Sequence, residues 1–346
     1  MIPTIREEAP QLSENAMTVL KKRYLQRNSE GELIETPEEM FRRVATNVAS
    51  AEARFGSSEK EVESVQDAFY AIMRGLLFLP NSPTLMNAGT QLQQLSACFV
   101  LSVQDSIESI YEAIRHTAAI HKSGGGTGFS FSRIRPKGSP VGTTSGVASG
   151  PVSFMKVFDA STEAIKQGGR RRGANMGILS IQHPDITEFI RCKEEEGELR
   201  NFNISVAATD RFMEAVKNGK DFELIDPRTG EIVGRMDANE VLDTIAEMAW
   251  RNGEPGVVFL DKINQLHPVP NAGLIEATNP CGEQPLLPYE SCNLGSVNLA
   301  RMITNGSIDW ELLKSVTHLA VRFLDNVIEA NMFPLASIEE NTKIKP

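Results

Sequence analysis

Apolar residues recur every three or four positions through residues 1–90, and that spacing predicts helices. Thr36-Pro37-Glu38-Glu39 is a full start signal. Thr36 is placed to cap, Pro37 to take the first helical position, and Glu39 to close a capping box. Met40, Phe41, Val44 and Val48 follow on one stripe, with Gly56 as a stop. A second helix is predicted from Ser58 to Gly75, with Val62, Val65, Phe69 and Ile72 in line, and another from Ser13 to Arg27.

From about Pro80 short apolar runs begin to alternate with helical stretches. Strands are expected at Ala97–Leu101, Phe129–Ile134, Met176–Ile181, Asn203–Ala208 and Val257–Leu260. Helices are expected after the Asp105…Glu108 cap pattern, over Val152–Ile165 and over Glu240–Trp250. Apolar strands interleaved with amphipathic helices point to an α/β fold with a mostly parallel sheet. One hairpin interrupts it, Phe222–Ile225 and Ile232–Met236 around Asp226-Pro227-Arg228-Thr229-Gly230. The run Lys193-Glu194-Glu195-Glu196 reads as a solvated surface turn.

Composition narrows the function. Of 346 residues, 41% are apolar and 23% charged, enough for a sizeable core and too ordered a balance for a disordered chain. Thirty-five basic against 45 acidic residues leave a net charge of −10, which argues against a nucleic-acid-coating protein. The first residues do not read as a secretory signal, and no apolar run reaches the ~18–20 residues of a membrane span. Four cysteines, none spaced as CxxC, are too few for a disulfide scaffold. A cytoplasmic location is expected, and any thiol chemistry there is catalytic.

Three loops look wrong for packing alone. Lys122-Ser123-Gly124-Gly125-Gly126-Thr127-Gly128, read as lying directly before a strand, would let backbone N–H groups face an anion. Gln167-Gly168-Gly169-Arg170-Arg171-Arg172-Gly173-Ala174-Asn175 puts three arginines among glycines in an acidic chain, which suits a nucleotide phosphate. Asn279-Pro280-Cys281-Gly282-Glu283 sets a thiol between an amide and a carboxylate on an irregular loop, followed by Ser291-Cys292-Asn293-Leu294-Gly295. A nearby carboxylate disfavours the thiolate, so one-electron hydrogen-atom chemistry fits Cys281 better than nucleophilic attack. Zinc is the non-radical alternative, weakened by the absence of CxxC and of a histidine cluster, and no metal site is expected.

These stretches together resemble the catalytic chain of ribonucleotide reductases, most of all the adenosylcobalamin-dependent (class II) ribonucleoside-diphosphate reductases. The resemblance runs in order through Asn81-Ser82-Pro83-Thr84-Leu85-Met86-Asn87-Ala88-Gly89, Ser96-Ala97-Cys98-Phe99-Val100-Leu101, the glycine run through Ser139-Pro140, Gln167 to Asn175, and both cysteine motifs. It implies a helical domain over residues 1–90, then over 91–346 the first half of a ten-stranded α/β barrel with a finger loop at 266–292. It implies that Cys281 becomes a thiyl radical, that Glu283 takes the 3′-hydroxyl proton and that Asn279 holds the substrate hydroxyl. Cys98 and Cys292 are implied as the redox pair, whereas Cys192 reads as a bystander in a polar acidic stretch. Ser82, Ala97, Cys98, Gly126 and Asn279 through Glu283, with Pro280 and Gly282, are implied to line the substrate. Asp105, Arg135, Gln167 and Arg171 are implied to serve deoxynucleotide effectors. Asp105 also reads as a helix cap and Ser82 as a turn residue before Pro83.

The resemblance further implies adenosylcobalamin as cofactor, a thioredoxin-type reductant and a homodimer, with no nucleic-acid or membrane partner. The family continues for roughly as long again beyond this chain, so a complementary C-terminal part is expected to be needed for turnover. A class I large subunit and a non-catalytic nucleotide-binding fragment stay open as alternatives.

Overall fold

The computed structural model describes residues 12–142, 146–165, 173–195 and 197–344, which form two compact units, residues 1–97 with 292–346 and residues 98–291.

The first unit is helical. Ser13 caps Glu14–Val19, which runs on as a π-turn over Leu20–Tyr24. Thr36 caps Pro37–Ala49 through the expected box, accepting the Glu39 N–H while the Glu39 carboxylate accepts the Thr36 N–H. A 3₁₀ turn then ends at Gly56, whose φ of +90° is the left-handed conformation that favours glycine. Glu59–Arg74 follows behind its own capping box at Ser58. The helix Trp310–Ala330, capped by Asp309, packs against both longer helices. Its Phe323 ring stands edge-on to Phe69 and Phe78 at 5.0 and 5.4 Å. Met40, Val44, Val48, Ile72 and Val327 complete the core.

A buried charge lies in this unit. Arg322 donates to both Glu52 oxygens at 2.7 Å, and Asn326 adds a third bond at 2.9 Å. Glu52 is 4% exposed, and the Arg322 fork holds its carboxyl below the ordinary glutamate range. Arg322→Ala leaves that carboxylate buried with weaker partners, and we expect a loss of about 2–4 kcal/mol at pH 7 in urea unfolding. A carboxyl lowered on folding stabilises above its unfolded value of about 4.3 and loses that contribution as pH falls. The wild-type chain should therefore lose more stability than Arg322→Ala on acidification below pH 5.

The second unit is a parallel α/β sheet. Its strands are β1 (Cys98–Leu101), β2 (Gly126–Ser130), β3 (Asn175–Ser180), β4 (Phe202–Ala208) and β5 (Gly256–Phe259). Each pairs in parallel with its neighbour in sequence, in the order β5-β4-β3-β2-β1. Consecutive parallel neighbours joined by helices make an arc that winds one way, the arrangement of a partial barrel. Helices Ile107–Lys122, Pro151–Ile165 and Ala238–Asn252 lie between the strands in sequence, and Phe129, Phe131, Phe158 and Phe202 interlock in the core. The hairpin forms at Asp221–Ile225 and Ile232–Asp237, as its turn residues predict. Among the described residues no helix is long and apolar enough to cross a membrane.

The structure corrects three local expectations. The helix after β1 is capped by Ser106, which accepts the Ser109 N–H, and not by Asp105. Ser82 is the first residue of the helix Ser82–Asn87 and not a turn residue, because Asn81 supplies the cap. The Lys193 turn is less solvated than expected: Lys193 pairs with Glu254 at 2.6 Å and donates to the Phe202 carbonyl, and Glu194 pairs with Arg251 at 2.6 Å, while Glu195 stays exposed and Glu196 lies outside the described residues.

Candidate active site

Cys281 sits at the tip of a small hairpin. β6 (Ala277–Thr278) and β7 (Pro285–Leu286) pair antiparallel, and Asn279 exchanges bonds with Gln284 just beyond them. The Gly282 N–H returns to the Asn279 carbonyl at 3.1 Å, closing a turn with Pro280 and Cys281 at its centre. Gly282 has φ +82°, so the glycine is required by the backbone. Cys281 and Glu283 are exposed at this tip, whereas Asn279 is wholly buried.

The Asn279 amide donates to the Cys98 sulfur at 3.3 Å, across 181 residues of chain. Its oxygen accepts the Gln284 N–H at 3.0 Å. One buried amide thus ties the first residue of β1 to the turn that presents Cys281.

The glycine run explains how the hairpin gets so close. A Cβ built on Gly128 would lie 1.8 Å from the Thr278 carbonyl oxygen, and one on Gly126 would lie 2.8 Å from the Pro280 ring. The expected anion cradle is therefore corrected. The N–H groups of Gly124, Gly125 and Thr127 are all taken by backbone carbonyls. The strand begins inside the run, at Gly126, and its glycines admit the Cys281 hairpin onto the face of β2.

A polar relay that sequence reasoning missed runs beneath. His121 Nε2 meets Thr127 Oγ1 at 3.0 Å, Thr127 donates to Asn175 Oδ1 at 2.7 Å, and the Asn175 amide donates to Thr162 Oγ1 at 2.9 Å. Because the Thr127 hydroxyl proton goes to Asn175, His121 must donate from Nε2. Burial pushes the His121 pKa down to about 4, so the ring is neutral. A Cβ on Gly173 would lie 2.5 Å from His121 Nδ1, so the glycine lets the chain entering β3 pass against the ring. The only sequence signal was a histidine at the buried end of a helix, which is weak alone.

Asp105 and Arg135, expected at the effector site, are brought together. Arg135 donates from Nε to both Asp105 oxygens at 3.0 and 2.8 Å and from its backbone N–H at 3.1 Å. They follow β1 and β2, so the pair lies off the carboxyl ends of those strands, where ligands of parallel sheets commonly bind. Gln167 and Arg171 lie outside the described residues. In the helical unit, the Ser82 hydroxyl meets the Tyr24 hydroxyl at 2.7 Å, and the Ala97 N–H donates to the Cys292 carbonyl at 2.9 Å. None of the four cysteines is joined in a disulfide. Cys192 is half-buried, and burial pushes its thiol up to about 12. Among the described residues no three His, Cys, Asp or Glu side chains gather as metal ligands.

The chain is 48% identical to the vitamin B12-dependent ribonucleoside-diphosphate reductase of Thermoplasma acidophilum over 96% of its length and 50% of the relative's. It is 49% identical to the enzyme of that name from Mycobacterium tuberculosis, over 97% of this chain and 48% of the relative. A vitamin B12-dependent ribonucleotide reductase of Streptomyces clavuligerus is 38% identical over 85% of this chain and 34% of the relative. The chain therefore spans about half the length or less of these curated relatives. Residues 10–93 match the ribonucleotide reductase all-alpha domain and residues 96–345 the barrel domain. With both domains matched and the thiol-bearing hairpin seated on the parallel sheet, the chain belongs to the ribonucleotide reductase family.

Proposed function

We propose that this chain carries the radical-bearing part of a cytoplasmic reductase that converts ribonucleoside diphosphates to 2′-deoxyribonucleoside diphosphates. The bond from Asn279 to Cys98 is the observation that carries the reading, because it gathers two of the required sulfur-bearing segments around one turn. Cys281 acts as hydrogen-atom acceptor and later donor at the ribose 3′ carbon. Its place at an exposed tip supports this, since a substrate and a radical source must both reach the sulfur. Glu283, exposed two residues on, accepts the 3′-hydroxyl proton. Asn279 keeps a second N–H beyond the one given to Cys98 and presents it to the substrate hydroxyl.

Cys98 and Cys292 then give two electrons and two protons: the C2′–O bond breaks, a C2′–H bond forms, water leaves and the two sulfurs join as a disulfide. A thioredoxin-type dithiol restores them. The hydrogen bond from the N–H of Ala97, the residue preceding Cys98, to the Cys292 carbonyl supports that pairing. Ser82, Ala97 and Gly126 line the substrate nucleotide, while Asp105 and Arg135 receive a deoxynucleotide effector, with Gln167 and Arg171 relaying its identity and a homodimer as the working form.

The curated relatives' dependence on vitamin B12 fits one feature of this chain, a thiol that an outside group can approach across the Pro280–Gly282 turn. When bound, adenosylcobalamin would supply the one-electron oxidation of that thiol through homolysis of its cobalt–carbon bond.

The test is an assay of ribonucleoside-diphosphate reduction with adenosylcobalamin and dithiothreitol, with and without a polypeptide supplying the part of the relatives this chain does not span. Deoxynucleotide should form only when both polypeptides are present. A completed enzyme that folds and binds deoxynucleotides yet forms no product would overturn the catalytic reading in favour of a regulatory one.

A further inference from the structure

The turn that carries Cys281 rests on three adjacent strands. Its Pro280 ring lies over Gly126 of β2, and Met176 of β3 lies 3.9 Å from the Cβ position of Gly282. Asn203 of β4 donates its side-chain amide to the Pro280 carbonyl at 2.7 Å. The first two contacts are nonpolar and tolerate sliding, whereas the third is directional. Asparagine is a poor strand residue, and Asn203 is the one exposed position in a strand otherwise buried from Phe202 to Ala208. Neither propensity nor burial accounts for it there.

The accepting carbonyl has a particular meaning. In a four-residue turn from Asn279 to Gly282, the central peptide joins Pro280 to Cys281, and its carbonyl has no partner within the turn. The two common turn types differ by a flip of that one peptide, and proline at the second position suits both. Flipping it would drive Cys281 to positive φ, which Cys281 does not adopt here. The same plane sets the direction in which the Cys281 Cα–Cβ bond leaves the backbone.

We infer that Asn203 is a positioning residue for Cys281: its amide locks the Pro280–Cys281 peptide in one orientation and so aims the sulfur. This rests on Cys281 being the reacting thiol, but the geometric part can be tested without turnover. In the 346-residue chain, hydrogen exchange of the Gly282 N–H reports closure of the turn. Asn203→Leu, which removes the donor, should speed that exchange about fivefold to tenfold. Asn203→Asp, which sets a carboxylate against the carbonyl, should speed it further, and Asn203→Gln should recover part of the protection. Amides of the Asp221–Asp237 hairpin serve as the folding control and should not change.

In the completed enzyme, Asn203→Leu should lower kcat about tenfold at unchanged KM, with partial rescue by Asn203→Gln. Gly282 exchange within twofold of wild type in both Asn203→Leu and Asn203→Asp would overturn the proposal. So would an unchanged kcat alongside altered exchange. Should either replacement fail to fold, the Asn203→Gln chain carries the same readouts. Retention of activity by Cys281→Ser is the separate result that would sink the underlying reading whatever Asn203 does.

Discussion

Replacing Cys281 by serine in the completed enzyme should reduce deoxynucleotide formation by on the order of 10⁴-fold or more, to background. A serine hydroxyl has nearly the shape of the thiol, but its O–H bond is too strong to yield a hydrogen atom to the same oxidant. The turn should survive the change. Its closure depends on the Gly282 N–H, the Asn279 carbonyl and the Asn203 amide, none of which involves the sulfur. Binding of a deoxynucleoside triphosphate near Asp105 and Arg135 should therefore match wild type in equilibrium dialysis. That combination separates a radical enzyme from a nucleotide-binding module, for which the serine variant would be silent. Measurable turnover by Cys281→Ser would end the radical assignment.

Gly128→Ala is expected to be nearly as damaging through packing alone. The new methyl would sit 1.8 Å from the Thr278 carbonyl oxygen and 2.9 Å from its carbon, far inside contact distance and against backbone rather than a flexible side-chain end. The hairpin cannot yield easily, because Thr278 leads straight into Asn279, fixed to both Gln284 and Cys98. Overpacking at a site without slack costs on the order of 2–4 kcal/mol, or else the hairpin lifts from the sheet. Urea unfolding reports the first outcome, and faster alkylation of Cys98, buried under the Asn279 amide, reports the second. Gly124→Ala is the matched control. Its Cβ meets nothing within 4 Å, so it should show only the milder strain of a φ of +93°. Equal behaviour of the two variants would mean that the hairpin does not press on β2.

The contrast between those glycines shows where sequence reasoning reaches its limit. Six glycines lie over residues 124–142 without any mark distinguishing a turn former from a contact surface. Gly128 proves to be a contact surface only because a segment 150 residues further on lies across it. Asp105 illustrates the same limit. Locally it has the pattern of a helix cap, but Ser106 takes that task and leaves the carboxylate for Arg135, thirty residues away. Asn203 gave no signal beyond being an unfavourable residue in a strand.

What the sequence determined by itself was set by short-range chemistry. The Thr36 capping box, the apolar stripe of Met40, Val44 and Val48, the alternating strands and helices, and the thiol held between Asn279 and Glu283 all depend on neighbours a few residues apart. Such patterns are legible because backbone hydrogen bonding and side-chain periodicity act over one or two turns. Only the tertiary structure decided which distant groups meet: Cys98 with Asn279, His121 with Thr127 and Asn175, and Phe323 with Phe69 and Phe78. Those meetings depend on how strands add in order and on which helix fills the remaining apolar face, and no local pattern along the chain encodes either.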